Sequence, residues 1–172
     1  VREARANYNL TLLCLAAIAF FGRCRAGGSH DNGEGRFAAL RAEMVASQIA
    51  GRDVRDPRVL AAMRRVPRHR FVPADWVSAA YEDRPLPIER GQTISQPSLV
   101  AYMTELLRPR PGMKVLEVGT GSGYQAAVLA AIGCRVFTIE IFRQLAASAE
   151  TRLKRLGYRD VAVRHGDGYL GW

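Results

Sequence analysis

The chain has 172 residues, 48% hydrophobic and 24% charged, with 25 basic against 16 acidic side chains and a formal net charge of +9. That apolar content can bury the core of one domain of ordinary size, which excludes wholesale disorder. Cys14, Cys24 and Cys134 are too few for a disulfide framework and lack metal-ligand spacing, so no metal is expected.

The basic excess is almost wholly arginine: 23 of the 25 basic residues are Arg, the others being Lys114 and Lys154. The densest run, Arg64-Arg65-Val66-Pro67-Arg68-His69-Arg70, closes an apparent helix, where cations favour the C-terminus. It reads as a solvated cap, without the aromatic interleaving of a nucleic-acid face, and nucleic acid is not an expected partner.

In residues 1–35, Arg2 and Arg5 precede a 12-residue apolar run, Leu10 to Phe21, interrupted only by Thr11. With cleavage after Ala26 this would make a secretory signal, although Glu3, Arg23 and Arg25 weigh against it. The run falls short of the roughly 20 residues a bilayer span needs, so no integral membrane association is expected. The stretch is taken as a signal-like or disordered extension outside the core.

Residues 36–111 read as helices separated by prolines. Phe37, Leu40, Met44, Val45 and Ile49 share one helical face, and Gly51 follows as a stop. Asp56-Pro57 supplies an N-cap and a proline at the first position of a helix over 58–66. Residues 67–97 look irregular, and a third helix spans 98–107.

From Gly112 strands and helices alternate. Val115–Val118 is a short strand entering Gly119-Thr120-Gly121-Ser122-Gly123, with a helix over 124–131. A strand at 135–140, a helix at 142–156 and a strand at 161–163 follow. The alternation predicts an α/β fold, a parallel sheet with flanking crossover helices. Glu117 before the turn, Glu140 ending the second strand and Asp167 after the third then share the sheet's carboxyl edge, where open α/β sheets bind ligands. The turn reads G-x-G-x-G, unlike the G-x-G-x-x-G of dinucleotide folds. A carboxylate directly before it would repel a pyrophosphate but suits a cationic ligand with an amino-acid end. S-adenosyl-L-methionine, which has a ribose and no phosphate, is preferred to NAD as cofactor.

V-L-E-V-G-T-G-S-G-Y (115–124) resembles the first motif of class I S-adenosylmethionine-dependent methyltransferases. G-Q-T-I-S-Q-P-S-L-V-A (91–101) narrows the resemblance to the protein-L-isoaspartate O-methyltransferases. V-P-R-H-R-F-V-P (66–73), Y-E-D-R-P-L-P-I (81–88) and R-H-G-D-G-Y-L-G-W (164–172) support it. The resemblance implies a Rossmann-like fold over about residues 40–172. It implies that Ser95 is the active-site serine, with Thr93 and Ile94 on the same cofactor-facing loop. Gly119, Gly121, Ser122 and Gly123 would surround the methionine part beside Glu117, Glu140 would bind the ribose, and Asp167 with Gly168 the adenine. Ser95 can also be read as a cap for the helix opening near Pro97.

The implied reaction methylates the carboxylate of L-isoaspartyl residues in damaged proteins, leading to repair. Such a carboxylate, with a reference pKa near 3.9, is ionised at neutral pH, so no general base is needed. Isoaspartyl proteins and peptides are the implied partners, and the full-length protein is expected to be a cytoplasmic monomer, with export the alternative. The family's sheet continues beyond 166–172. This chain is therefore expected to carry half of a doubly wound sheet in the order 3-2-1, with 115–118 an apolar edge, and to be weakly active or inactive by itself. The alternatives are another class I methyltransferase or an inactive cofactor-binding fragment.

Overall fold

The computed structural model describes residues 31–172. The apolar run Leu10–Phe21 and the cleavage point after Ala26 lie outside the described residues. Helix α1 (Asp31–Glu43) begins ahead of the boundary expected at 36 and passes into a π-helical turn, Met44–Ile49. Met44, Val45 and Ile49 are buried as expected, whereas Leu40 is exposed. The π winding is the reason: the Ala50 amide donates to the Val45 carbonyl five residues back, so residues before and after 44 do not share one 3.6-residue face.

Helix α2 (Pro57–Arg65) opens as its sequence requires, with the Asp56 carboxylate accepting from the Arg58 amide at 2.8 Å and proline at the first position. It buries Val59, Ala62 and Met63. The basic run that follows is only partly a solvated cap. Arg64, Arg65 and Arg70 are exposed, but Arg68 and His69 are buried. The chain leaves α2 at Val66 and winds into a 3-10 turn at Arg68–Arg70, whose tight pitch turns two of these side chains inward.

Between Pro73 and Gln96 the chain is more regular than its prolines indicate. A 3-10 turn covers Ala74–Ala79, and a short antiparallel hairpin pairs β1 (Leu86–Pro87) with β2 (Thr93–Ile94), Leu86 opposite Ile94. Its tip holds Arg90 at φ 63° and Gly91 at φ 67°. Helix α3 (Pro97–Leu107) buries Val100, Ala101 and Thr104 and leaves Leu99, Met103, Leu106 and Leu107 exposed.

The remainder is β3 (Lys114–Val118), α4 (Tyr124–Ile132), β4 (Arg135–Glu140), α5 (Arg143–Arg155) and β5 (Val161–His165). The three strands are parallel in the order β3-β4-β5, with Val115 opposite Val136 and Glu117 opposite Thr138. This is the expected α/β, Rossmann-like half-sheet, with β3 at one edge. Alternation along β3 turns Val115 and Glu117 to one face and Leu116 and Val118 to the other, where both are exposed. Val115 and Val136 enter the main core with α4, α2 and the Phe71–Tyr124 aromatic pair, whose centroids are 5.5 Å apart.

Candidate functional site

The parallel order sends the exits of β3, β4 and β5 to the same edge, and the β1–β2 hairpin folds over it. Among the cavities at this edge, two lie under the hairpin and adjoin each other. The larger, about 330 Å³, is lined by Gln92, Thr93, Gly119, Gly121, Glu140 and Asp167, with Val118, Ile139, Ile141, Phe142, Gly168 and Tyr169. The smaller, about 70 Å³, is lined by Thr93, Ile94, Ser95, Glu117, Gly119, Gly121 and Ser122, with Met103, Tyr124 and Gln125 among the rest. Thr93, Gly119 and Gly121 border both. Of the residues singled out from sequence, only Gly123 lines neither.

The turn after β3 is built on backbone geometry. Gly119, Gly121 and Gly123 have φ of 91°, 52° and 88°, in the left-handed region that costs a side-chain-bearing residue energy. Gly123 stands at the N-terminus of α4, and a β-carbon there would press on the Leu153 side chain of α5 at 3.0 Å. Its role is packing. Gly168 is constrained by proximity alone: a β-carbon there would overlap a Val118 methyl, so the loop leaving β5 lies directly on the end of β3.

The carboxylates are held differently. Glu140 is buried, with one oxygen accepting from the Gly121 amide at 2.8 Å and the other from the Phe142 amide at 3.0 Å. Each oxygen retains a lone pair for a hydroxyl donor. Asp167 is exposed and accepts from the Tyr169 amide at 2.9 Å, which fixes the small turn Gly168–Leu170. Glu117 faces inward beside Thr138, and its Oε2 is buried without a partner. Burial pushes its pKa up to about 7, the like charge of Glu140 adds to the rise, and the Thr138 hydroxyl opposes it. Thr138 and Thr120 hydroxyls meet at 2.7 Å behind the turn.

Ser95 lines the smaller cavity, and the capping alternative does not hold. The residue before α3 is Gln96, without a side-chain cap, and the Ser98 amide donates to the Asp83 carboxylate at 2.9 Å. Asp83 comes from the segment preceding the hairpin, a long-range cap that local spacing does not reveal. Gln92, Phe142 and Gln125 were also not foreseen. Gln92 lies within the 91–101 motif but was not singled out there, and Gln125 directly follows the 115–124 motif.

A sequence model of the protein-L-isoaspartate(D-aspartate) O-methyltransferases matches residues 39–172. The chain belongs to this family. A relative in Gloeobacter violaceus named protein-L-isoaspartate O-methyltransferase is 62% identical over 129 residues, covering 75% of this chain and 63% of the relative. One of the same name in a Synechococcus strain is 58% identical over 136 residues, covering 79% and 56%. A solved protein-L-isoaspartate O-methyltransferase superimposes with a TM-score of 0.61 at 32% identity, over 79% of this chain and 42% of that one. A Plasmodium falciparum structure described as such a methyltransferase, in complex with S-adenosyl-L-homocysteine, shares the fold with a TM-score of 0.59 at 22% identity. It covers 73% of this chain and 62% of that one. The chain thus spans about three-fifths of the length of the curated relatives it matches. Among the described residues no helix is long and apolar enough to cross a membrane.

Proposed function

We propose that the protein transfers a methyl group from S-adenosyl-L-methionine to the carboxylate of L-isoaspartyl residues in damaged proteins, in the cytoplasm. The observation that carries this reading is the pair of joined cavities at the carboxyl edge. The wider has carboxylates with spare acceptor capacity, and the narrower ends on an inward-facing glutamate and Ser95. A ligand with a nucleoside at one end and an amino acid at the other fits that sequence of groups.

Glu140 would take the ribose hydroxyls on its free lone pairs, Asp167 and Gly168 would border the adenine, and the turn from Gly119 to Gly123 would back the methionine part. When bound, the cofactor supplies an electrophilic methyl group. The chain's residues position and shield. Ser95, with Thr93 and Ile94 on the same strap, would orient the substrate carboxylate, and alignment of reacting atoms is itself a large share of catalysis. The carboxylate is already ionised at neutral pH, so no protein base has to take a proton. In the methyl ester formed, the neighbouring backbone amide nitrogen attacks the ester carbonyl and methanol leaves, closing a succinimide whose hydrolysis returns part of the residue to normal aspartate.

The test is methyl transfer from labelled cofactor to an isoaspartyl peptide, its aspartyl isomer and an RNA, using the full-length protein. Transfer to the isoaspartyl peptide alone is the expected result; transfer to the RNA or to neither peptide would refute the proposal.

A further inference from the structure

The turn after β3 is held to its surroundings by a short series of bonds to its backbone. The Gly119 and Thr120 amides both donate to the Ile139 carbonyl, at 2.8 and 3.3 Å, and the Gly121 amide donates to Glu140. The Gly123 amide donates to the Thr120 carbonyl at 2.8 Å. Ser122 is buried, and its carbonyl falls outside the α4 ladder, which starts one residue later with the Gly123 carbonyl accepting from Ala127. Arg152 on α5 takes it, donating from Nη1 at 3.0 Å. Among the described residues this is the only side-chain donor to a carbonyl of the turn.

Two features give that bond a purpose beyond packing. Ser122 lies between Gly121 at φ 52° and Gly123 at φ 88°, and glycine moves through such conformations at little cost. The chain itself therefore leaves the 122–123 peptide weakly determined, and its setting falls to the Gly123–Thr120 and Arg152–Ser122 bonds. Ser122 also borders two separate spaces. It lines the 70 Å³ cavity together with Ser95, and it lines a gap of about 30 Å³ that Arg152 shares with Ile88, Glu89 and Leu145. We propose that Arg152 is a positioning residue for the cofactor site, pinning the Ser122 carbonyl from behind so that this wall of the smaller cavity keeps the shape its ligand requires. The inference rests on the cofactor reading above.

The surroundings of Arg152 suit a permanent anchor. Burial of its half-exposed guanidinium lowers the pKa, the Glu89 carboxylate on the hairpin opposes that, and Arg155 adds to the lowering. Arginine stays charged through such a shift, whereas a buried lysine gives up its proton readily. A charged donor also makes a shorter and stronger bond to a carbonyl than a neutral one. Glu89 belongs to the hairpin tip, and the Ile88 side chain beside it would lie 3.5 Å from a β-carbon on Gly121. Leu153, next to Arg152, backs Gly123 from the same helix. Hairpin, turn and α5 therefore meet around this one side chain.

Calorimetric titration of the full-length protein with S-adenosylhomocysteine, and methyl-transfer kinetics on an isoaspartyl peptide at saturating cofactor, test this. Arg152→Met should weaken S-adenosylhomocysteine binding about tenfold, the value of one charge-assisted hydrogen bond. Arg152→Gln, polar but too short to reach, should lose a similar factor. Arg152→Lys, which keeps a cationic donor, should recover most of the loss, and the KM for the peptide should be unchanged in all three. Unchanged ligand affinity in the methionine or glutamine variant would overturn the inference and leave the cofactor reading intact. A peptide KM that rises as far as the ligand's Kd, or a lysine variant no better than methionine, would do the same. So would failure of both the methionine and glutamine variants to fold, which would make Arg152 a support of the fold alone. No binding by wild type would overturn the cofactor reading, and this inference with it.

Discussion

Arg68 and His69 in the helical half, and Glu117 and Glu140 at the sheet edge, are all withdrawn from water, yet their partners differ in kind. Arg68 donates from Nε to the Ala80 carbonyl at 2.8 Å, and its guanidinium lies 4.9 Å from the Tyr124 ring centre. His69 Nδ1 meets the Tyr81 hydroxyl at 2.7 Å, its ring stacks on Phe37 at 4.0 Å, and Nε2 lies 3.5 Å from Glu34. Arg41 reaches the same Tyr81 hydroxyl at 3.1 Å. Glu34, Phe37 and Arg41 all belong to α1, so this knot fastens the first helix to the core. The contacts of the helical half join one part of the chain to another. At the sheet edge Glu140 is held by two amides but keeps open lone pairs, and Glu117 keeps an unmatched oxygen. Burial of charge joins elements in the first region, where Arg68 Nη1 and Nη2 also lack partners, whereas in the second it leaves acceptor oxygens on residues that line the cavities.

The largest effect expected to sharpen that contrast is at Arg68. Arg68→Ala should destabilise the fold by about 3 kcal/mol through lost packing around a fully buried side chain. Arg68→Met should come close to wild type, because a buried charge can be replaced by an apolar side chain of similar shape at little net cost. Urea denaturation reads both; a methionine variant as unstable as the alanine one would mean that the charge itself is required. At the other region, Gly168→Ala should cost about 2 kcal/mol by overpacking against Val118. Adding Val118→Ala should restore part of that loss, and additivity of the two substitutions in thermal melts would contradict the contact.

Next in size are opposite pH responses. Burial holds the His69 pKa below its usual 6.5, so the unfolded chain binds a proton on acidification that the folded chain does not. Its contribution is present above pH 6.5 and is lost below it. Glu117 is held protonated, with its pKa raised from 4.5 to about 7, so its contribution is present below pH 4.5 and lost as pH rises toward 7. Urea midpoints measured across this range should flatten on the acid side in His69→Phe and toward neutrality in Glu117→Gln. An unchanged slope between pH 5 and 7 in Glu117→Gln would remove the carboxylate from the account. The smallest effect is at the hairpin tip, where Arg90 sits at φ 63°. Arg90→Gly should gain about 1 kcal/mol in thermal melts by relieving a left-handed conformation, and a loss of stability would show that the Arg90 side chain, 5.8 Å from the Phe142 ring centre, outweighs the strain.

The sheet was readable because its signals are local. Val115–Val118 entering a glycine turn, and the apolar strand ending at Glu140, fix the strands, and the spacing of Glu117, Glu140 and Asp167 places all three at one edge. What escaped depends on contacts across the chain. Arg68 reads as solvent-exposed until Ala80 and Tyr124 close around it. The Ser98 amide has an obvious local candidate in Ser95, yet Asp83 takes it. The hairpin at 86–94 hides between prolines because two-residue strands leave no periodicity to detect. Gln125 looks like an ordinary helix residue, yet its side chain donates to the Thr104 hydroxyl, 21 positions away.

The contact between Val118 and Gly168 joins strand β3 to the loop beyond β5 across fifty sequence positions (118 to 168). The wider cavity therefore has a wall that no local fragment can form, and it closes only when the third strand has docked. Its completion needs a contact of high sequence separation, the kind that slows folding. A ligand spanning Gly119 and Gly168 would act as a brake on unfolding, holding the third strand in place and lengthening the native lifetime as ligand concentration rises above its dissociation constant.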